Sequence, residues 1–187
     1  HHTTLTGFKW IARAPGLGFG YEEAIGFCPD PAHVRDKDGI ATSVVAASLV
    51  AALKAQGCSV WDELERLARL HGLHVSSPLT FRVEEIEQIA NGMARLRAQP
   101  PSVLAGSPVV EVSDLSQGYR GLPPTDGVLV LTEAGDRVIA RPSGTEPKLK
   151  CYLEVILPVA EGEPLPWEQA RERLDAIKGA FAEIIGL

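Results

Sequence analysis

The stretch Arg141-Pro142-Ser143-Gly144-Thr145-Glu146-Pro147-Lys148 has the composition of an anion trap. A guanidinium stays charged at any usable pH and can hold a phosphate through two parallel hydrogen bonds. Ser143 and Thr145 add hydroxyl donors, and Gly144 is expected to let the backbone turn so that successive amides converge on one point. Lys148 and Lys150 lie two apart on an expected strand, so they share a face and add positive charge beside the loop. The other reading is a solvated hairpin made of ordinary turn residues.

Three more clusters could do chemistry. In Gly20-Tyr21-Glu22-Glu23-Ala24-Ile25-Gly26, the adjacent carboxylates Glu22 and Glu23 can accept hydrogen bonds from the hydroxyls of a sugar, or simply form an exposed acidic turn. In Arg35-Asp36-Lys37-Asp38-Gly39, Arg35 or Lys37 can face an anion beside a helix start, or can be solvated next to a capping Asp38. In Thr6-Gly7-Phe8-Lys9-Trp10, Lys9 interrupts an apolar run, so its ammonium group either reaches outward or meets an anion. His33, His71 and His74 form no triad or metal pattern, and His71 fits the C-terminal end of a helix.

The elements that must position these residues can be read from periodicity. Leu5 to Ile11 is expected as a strand, and Phe19 to Ile25 as a strand running into the acidic loop. A helix from Ile40 to Gln56, capped by Asp38, is nearly all apolar and is expected to be buried on more than one side. Ser59 and Asp62 form a capping box for a second helix that closes at Gly72. Leu64, Leu67, Ala68 and Leu70 supply its apolar stripe. Pro78 marks the expected domain boundary, giving residues 1–78 and 79–187. A helix over 83–97 presents Ile86, Ile89, Met93 and Leu96. It is followed by strands at 109–112, 127–132, 137–141 and 148–157, with a hairpin turn at Glu133-Ala134-Gly135-Asp136, and by a closing helix over 167–185. This describes an α/β segment followed by a small α+β domain on a four-stranded antiparallel sheet with flanking helices.

Bulk properties narrow the function classes. A net charge of -6 disfavours a general nucleic-acid binder but leaves room for a local anion site. Nucleic-acid binding by the small antiparallel domain therefore ranks last. Cys28, Cys58 and Cys151 have neither metal-ligand nor redox spacing and are expected as reduced thiols, two of them buried. No apolar run reaches bilayer length and no charged-then-apolar leader opens the chain, so a cytoplasmic protein without a membrane partner is expected.

Taken in order, the four motifs resemble the α-D-phosphohexomutase family, the phosphoglucomutases and phosphomannomutases. Arg141 to Pro147 is similar to the phosphate loop of the family's last domain. The Glu22-Glu23 loop is similar to the sugar loop of its third domain, and the Thr-Gly-Phe-Lys and Lys-Asp-Gly segments match that domain in order and spacing. The resemblance implies phosphate binding by Arg141, Ser143, Gly144, Thr145 and Lys148, sugar binding by Glu22 and Glu23, and further contacts by Lys9 and Arg35. It implies interconversion of hexose 1- and 6-phosphates through a phosphoserine enzyme and a bisphosphate intermediate. Ala24 stands where many members have serine, a variant that resembles a subgroup including phosphoglucomutase, phosphopentomutase and some bacterial phosphomannomutase-like proteins, so glucose, mannose and pentose all stay open.

The family's Thr-x-Ser-His-Asn-type nucleophile loop and Asp-x-Asp-x-Asp-Arg magnesium cluster do not occur in these residues. The resemblance therefore implies a piece of a longer enzyme that lacks nucleophile and metal ligands. Its partners would be hexose phosphate, hexose bisphosphate and its own missing N-terminal domains, and the intact enzyme would use Mg2+. A non-catalytic sugar-phosphate binding module is the alternative from another class.

Overall fold

The computed structural model describes residues 1–23, 26–144 and 146–186. The chain divides into two compact units, His1–Leu64 and Glu65–Leu187.

In the first unit, the apolar run expected as a strand forms a single helical turn, α1 (Phe8–Ile11). Phe8 and Ile11 are three residues apart and both are buried, a spacing that one helical turn satisfies and a strand does not. Strands β1 (Gly20–Glu22) and β2 (Gly26–Cys28) form an antiparallel hairpin in the register Gly20↔Cys28, Tyr21↔Phe27, Glu22↔Gly26. The core here is small: Phe8, Ile11 and Cys28, with Leu17 packed against them.

Helix α2 (Gly39–Ala55) starts where expected, with the Asp38 carboxylate accepting a hydrogen bond from the Ala41 amide at 2.9 Å. Its expected burial does not hold. Leu53 is its buried residue, while Ile40 is 84% and Val44 64% exposed. The hairpin core closes without it, and the apolar content of a helix does not by itself supply a surface to pack on. Helix α3 (Val60–His71) has the reciprocal capping box: the Ser59 amide donates to Asp62 Oδ2 at 2.7 Å and the Asp62 amide to Ser59 Oγ at 3.2 Å. The division between the compact units falls within α3. Of the expected stripe, Ala68 is buried, whereas Leu64, Leu67 and Leu70 are exposed. No single helix among the described residues is long and apolar enough to cross a membrane.

The second unit is built on six strands rather than four. After α3 come β3 (Leu73–Arg82), α4 (Ile86–Ala98), β4 (Val103–Leu104), β5 (Ser107–Asp114), β6 (Val128–Thr132), β7 (Arg137–Pro142), β8 (Lys148–Leu157) and α5 (Trp167–Ile185). The sheet order is β3-β8-β7-β6-β5-β4, every pairing antiparallel. The four expected strands are its inner ones, and β3 and β4 are added at the two edges. Pro78 lies in the middle of β3, opposite Tyr152. An edge strand tolerates a residue without an N–H, because its outer side donates to no neighbour in the sheet.

One face of this sheet is apolar. Leu149, Cys151, Leu153 and Val155 of β8, with Val138 and Ala140 of β7, pack in one core with Ile89, Met93 and Leu96 of α4 and Leu174, Ile177 and Phe181 of α5. Each such large side chain contributes about 1.5–3 kcal/mol by leaving water. Ile86, expected on the same stripe, is 69% exposed. The β6–β7 hairpin is pinned by Asp136, which is 1% exposed and accepts two hydrogen bonds from Arg173 of α5, both at 2.8 Å, and one from Thr132 Oγ1 at 3.0 Å. Arg95 of α4 donates to the Ile185 and Gly186 carbonyls, closing the C-terminal end of α5. Gly186 adopts a left-handed φ of 68°, and a Cβ there would collide with that guanidinium. All three cysteines are free, with Cys28 and Cys151 buried and Cys58 exposed.

Candidate functional site

The other face of the same sheet carries most of its charged side chains alongside a few apolar ones, since successive strand residues alternate sides. Along β8 the half-buried residues are Lys148, Lys150, Tyr152, Glu154 and Ile156. Register then assigns their neighbours. Lys148 is opposite Arg82 of β3, and Lys150 lies between Thr80 of β3 and Arg141 of β7. Arg82, Arg141, Lys148 and Lys150 therefore gather at one end of this face, where the loop between β7 and β8 begins.

The loop is closed at its base by backbone bonds. The Ser143 amide donates to the Lys148 carbonyl at 2.9 Å and the Lys148 amide to the Glu146 carbonyl at 2.7 Å. The Ser143 amide is thus engaged within the loop, not turned toward a nest. Thr145 lies outside the described residues. Gly144 is exposed, and its φ is not left-handed, so the turn does not need glycine for its backbone conformation as expected. Nor is glycine needed for space against the protein itself, since a Cβ at 144 would meet nothing within 4 Å.

Electrostatics separate the four cations. Lys148 pairs with Glu146, and this hydrogen bond holds the Glu146 carboxyl below its ordinary range, with help from the charges of Lys148, Arg82 and Lys150. Arg137, further along the face, pairs with Glu154 at 2.8 Å, and Glu154 also receives His74 at 3.4 Å. Arg82, Arg141 and Lys150 make no ion pair or side-chain hydrogen bond to any described residue. Arg141 and Lys150 also face each other directly across β7 and β8. Like charges in that position repel unless an anion lies between them. Beneath this face, burial pushes the Cys151 thiol up to about 12, which removes it as a nucleophile. The arrangement is suited to holding an anion rather than to moving protons.

Arg82 is absent from the residues that sequence reasoning singled out. The alternation Leu73, Val75, Leu79, Phe81 was available as a strand signal, but Pro78 read as a boundary broke the run.

In the first unit, Glu22 ends β1 with its side chain 8% exposed and is paired with Lys37 Nζ at 2.5 Å. Lys37 Nζ also lies 5.9 Å from the Phe8 ring centroid. The residue opposite Glu22 is Gly26, and a Cβ there would fall within 3 Å of Phe8, Glu22 and Lys37, so glycine makes this close packing feasible. Glu23 is exposed at the turn that follows. Ala24 and Ile25 lie outside the described residues. Lys9 is exposed on α1, its Nζ 5.7 Å from the Trp10 ring centroid, and Arg35 is exposed in the bend before α2. Of the two basic residues in that bend, Lys37 meets an anion, and that anion is Glu22. Among the described residues, no group of three or more His, Cys, Asp or Glu is placed to hold a metal.

Comparison with known proteins matches two segments of the chain to one family. Residues 1–69 match the family model for the phosphoglucomutase/phosphomannomutase alpha/beta/alpha domain III, and residues 79–165 match that for the phosphoglucomutase/phosphomannomutase C-terminal domain. The chain is 43% identical over 151 residues to a probable phosphomannomutase of Haemophilus influenzae, covering 81% of this chain and 30% of that protein. It is 31% identical to the phosphopentomutase of Mus musculus, covering 96% of this chain and 32% of that protein. With the phosphoglucomutase of Staphylococcus haemolyticus it shares 34% identity over 81% of this chain and 31% of that protein. The chain thus spans about a third of the length of these relatives. A solved structure of the Paramecium phosphoglucomutase parafusin, in its open form, superposes with a TM-score of 0.58 at 18% identity, covering 91% of this chain and 31% of that one, which speaks to the fold. Motifs, architecture and relatives agree: this chain belongs to the α-D-phosphohexomutase family and consists of its domain III and C-terminal domain regions.

Proposed function

We infer that the loop between β7 and β8 binds the phosphate of a phosphorylated sugar, as the phosphate grip of a phosphomutase that interconverts sugar 1-phosphates with their terminal-carbon phosphates. The observation that carries this reading is the pair Arg141 and Lys150, which face each other across two strands with no described carboxylate between them. An anion that accepts from both relieves their repulsion and gains charge-assisted hydrogen bonds. Arg141 is the principal contact. Lys150 supplies further charge, Gly144 leaves space for close approach, and Ser143 and Thr145 supply hydroxyls. Lys148 acts through Glu146, fixing the loop.

In the first unit, Glu23 is the exposed carboxylate and so the acceptor offered to sugar hydroxyls, while Glu22 is oriented by Lys37. Lys9 and Arg35 are exposed cations available to a second anionic group. The substrate is a hexose or pentose monophosphate and the intermediate its bisphosphate, since the relatives are named for both sugar sizes. Phosphoryl transfer depends on positioning and charge neutralisation, and these residues provide the positioning. The phosphoserine and the Mg2+ that completes the charge neutralisation belong to other parts of the intact, cytoplasmic enzyme.

The test is a titration of this chain with glucose 1-phosphate. Arg141→Ala is expected to weaken binding about 10- to 100-fold, the effect of losing a hydrogen bond to a charged group. It should leave folding intact, because no described residue loses a partner. Unchanged affinity overturns the reading. The same preparation is expected to show no turnover, and measurable mutase activity from it would overturn the assignment of the nucleophile elsewhere.

A further inference from the structure

Arg82 lies outside the signature loop, yet its place in the sheet fixes it beside that loop. Its β3 position is opposite Lys148, and the amide of the next residue, Val83, donates to the Pro147 carbonyl at 3.1 Å. β3 is thereby tied both to the first residue of β8 and to the last residue of the loop. Arg82 is exposed, makes no ion pair or side-chain hydrogen bond to a described residue, and lies near enough to Glu146 to help lower its carboxyl. Two cation pairs thus face each other in successive rows: Arg82 with Lys148, and Arg141 with Lys150. Glu146 is the one carboxylate described in the loop, and it is already paired with Lys148. Three positive charges remain at this end of the face, and a monoanion would leave most of that charge unmet.

We propose that Arg82 is a further phosphate-binding residue of this site and that, with Lys150, it makes the site select the dianionic form of a phosphomonoester over the monoanion. Thr80, opposite Lys150, places a hydroxyl in the same row. The proposal rests on the phosphate reading of the β7–β8 loop and adds to it a residue from an edge strand together with a charge-state preference.

The experiment is a titration of this chain with glucose 1-phosphate from pH 5 to 8, following the guanidinium Nε–H signals of Arg82 and Arg141 by NMR. A phosphomonoester takes its second negative charge near pH 6. Affinity of the unmodified chain is therefore expected to rise through that region. Arg82→Ala is expected to weaken binding about 5- to 10-fold at pH 8, to have less effect at pH 5, and so to flatten the profile. Arg82→Lys keeps the charge and should keep the profile while losing about 2- to 3-fold in affinity. Arg171→Ala, on the helix that covers the opposite face, controls for net charge and should change affinity less than 2-fold.

An Arg82→Ala chain that binds like the unmodified one, or a loss equal to that of Arg171→Ala, overturns this proposal. If that variant misfolds, the Arg82 Nε–H signal of the unmodified chain decides: movement with ligand supports the contact and a static signal overturns it. Loss in Arg141→Ala without loss in Arg82→Ala overturns this proposal alone. No ligand-dependent shift of either signal in the unmodified chain overturns both readings.

Discussion

The two units leave opposite needs unmet. In the second, twenty buried residues close a core between one sheet face and two helices, and the buried Asp136 carboxylate is fully bonded. What stays unsatisfied there is charge, at Arg82, Arg141 and Lys150. In the first, the described polar pair Glu22–Lys37 is satisfied, and what stays unsatisfied is apolar surface along α2, at Ile40, Val44, Val45, Leu49 and Val50. Unmet charge calls for an ionic ligand, whereas unmet apolar area calls for another surface. The contrast teaches that the kind of surface a fold leaves unmet indicates the kind of partner that can complete it.

Breaking the internal completeness of the second unit should have the largest effect. Asp136→Ala leaves Arg173 without its buried partner and is expected to destabilise this unit by about 3–5 kcal/mol, read by denaturant unfolding. A loss below about 1 kcal/mol would mean that the hairpin holds without the pair. A middle-sized contrast sharpens the comparison. Leu174→Ala, at a residue 3% exposed, is expected to cost about 2–5 kcal/mol. Leu49→Ala, at one 52% exposed, should change stability by less than about 0.5 kcal/mol. Equal costs at the two sites would show that α2 is packed in solution.

The smallest effect concerns the loop. The Lys148 hydrogen bond lowers the Glu146 carboxyl, so its contribution is fully present above the ordinary carboxylate value of 4.5 and is lost as pH falls through the lower, folded value. NMR titration should place its midpoint below 4.5. A midpoint at or above that value would mean that the pair does not persist in solution.

How much of this was legible in the sequence depends on whether the deciding partner was local. The closing helix is found over Trp167–Ile185 because Ala170, Leu174, Ile177, Phe181 and Ile185 carry its periodicity along one chain segment. The β6–β7 hairpin is likewise local, through Gly135 and Asp136. β3 was missed because Pro78 has one meaning in a central strand and another at an edge, and edge position is a property of the whole sheet. β4, at two residues, is too short to show any period. The exposure of α2 could not be read from its composition, since burial belongs to a pair of surfaces. The site divides in the same way. Arg141 stood out because its loop is contiguous, whereas Arg82 is brought in from 59 positions away by a register no short window contains. The pairing of Glu22 with Lys37 needed both the Gly26 register and the bond from the Asp38 amide to the Phe27 carbonyl at 2.9 Å, which ties the segment after β2 back onto the hairpin.

The clamp of Arg95 on the end of α5 bears on motion. The last turn of a helix near a chain terminus ordinarily frays first and exchanges its amide hydrogens fastest. Here the carbonyls of Ile185 and Gly186 are bonded to a side chain of α4, ninety residues upstream, so that turn cannot open without breaking the Arg95 bonds. Slow deuterium uptake should therefore extend to the final turn of α5, and Arg95→Ala should speed exchange there.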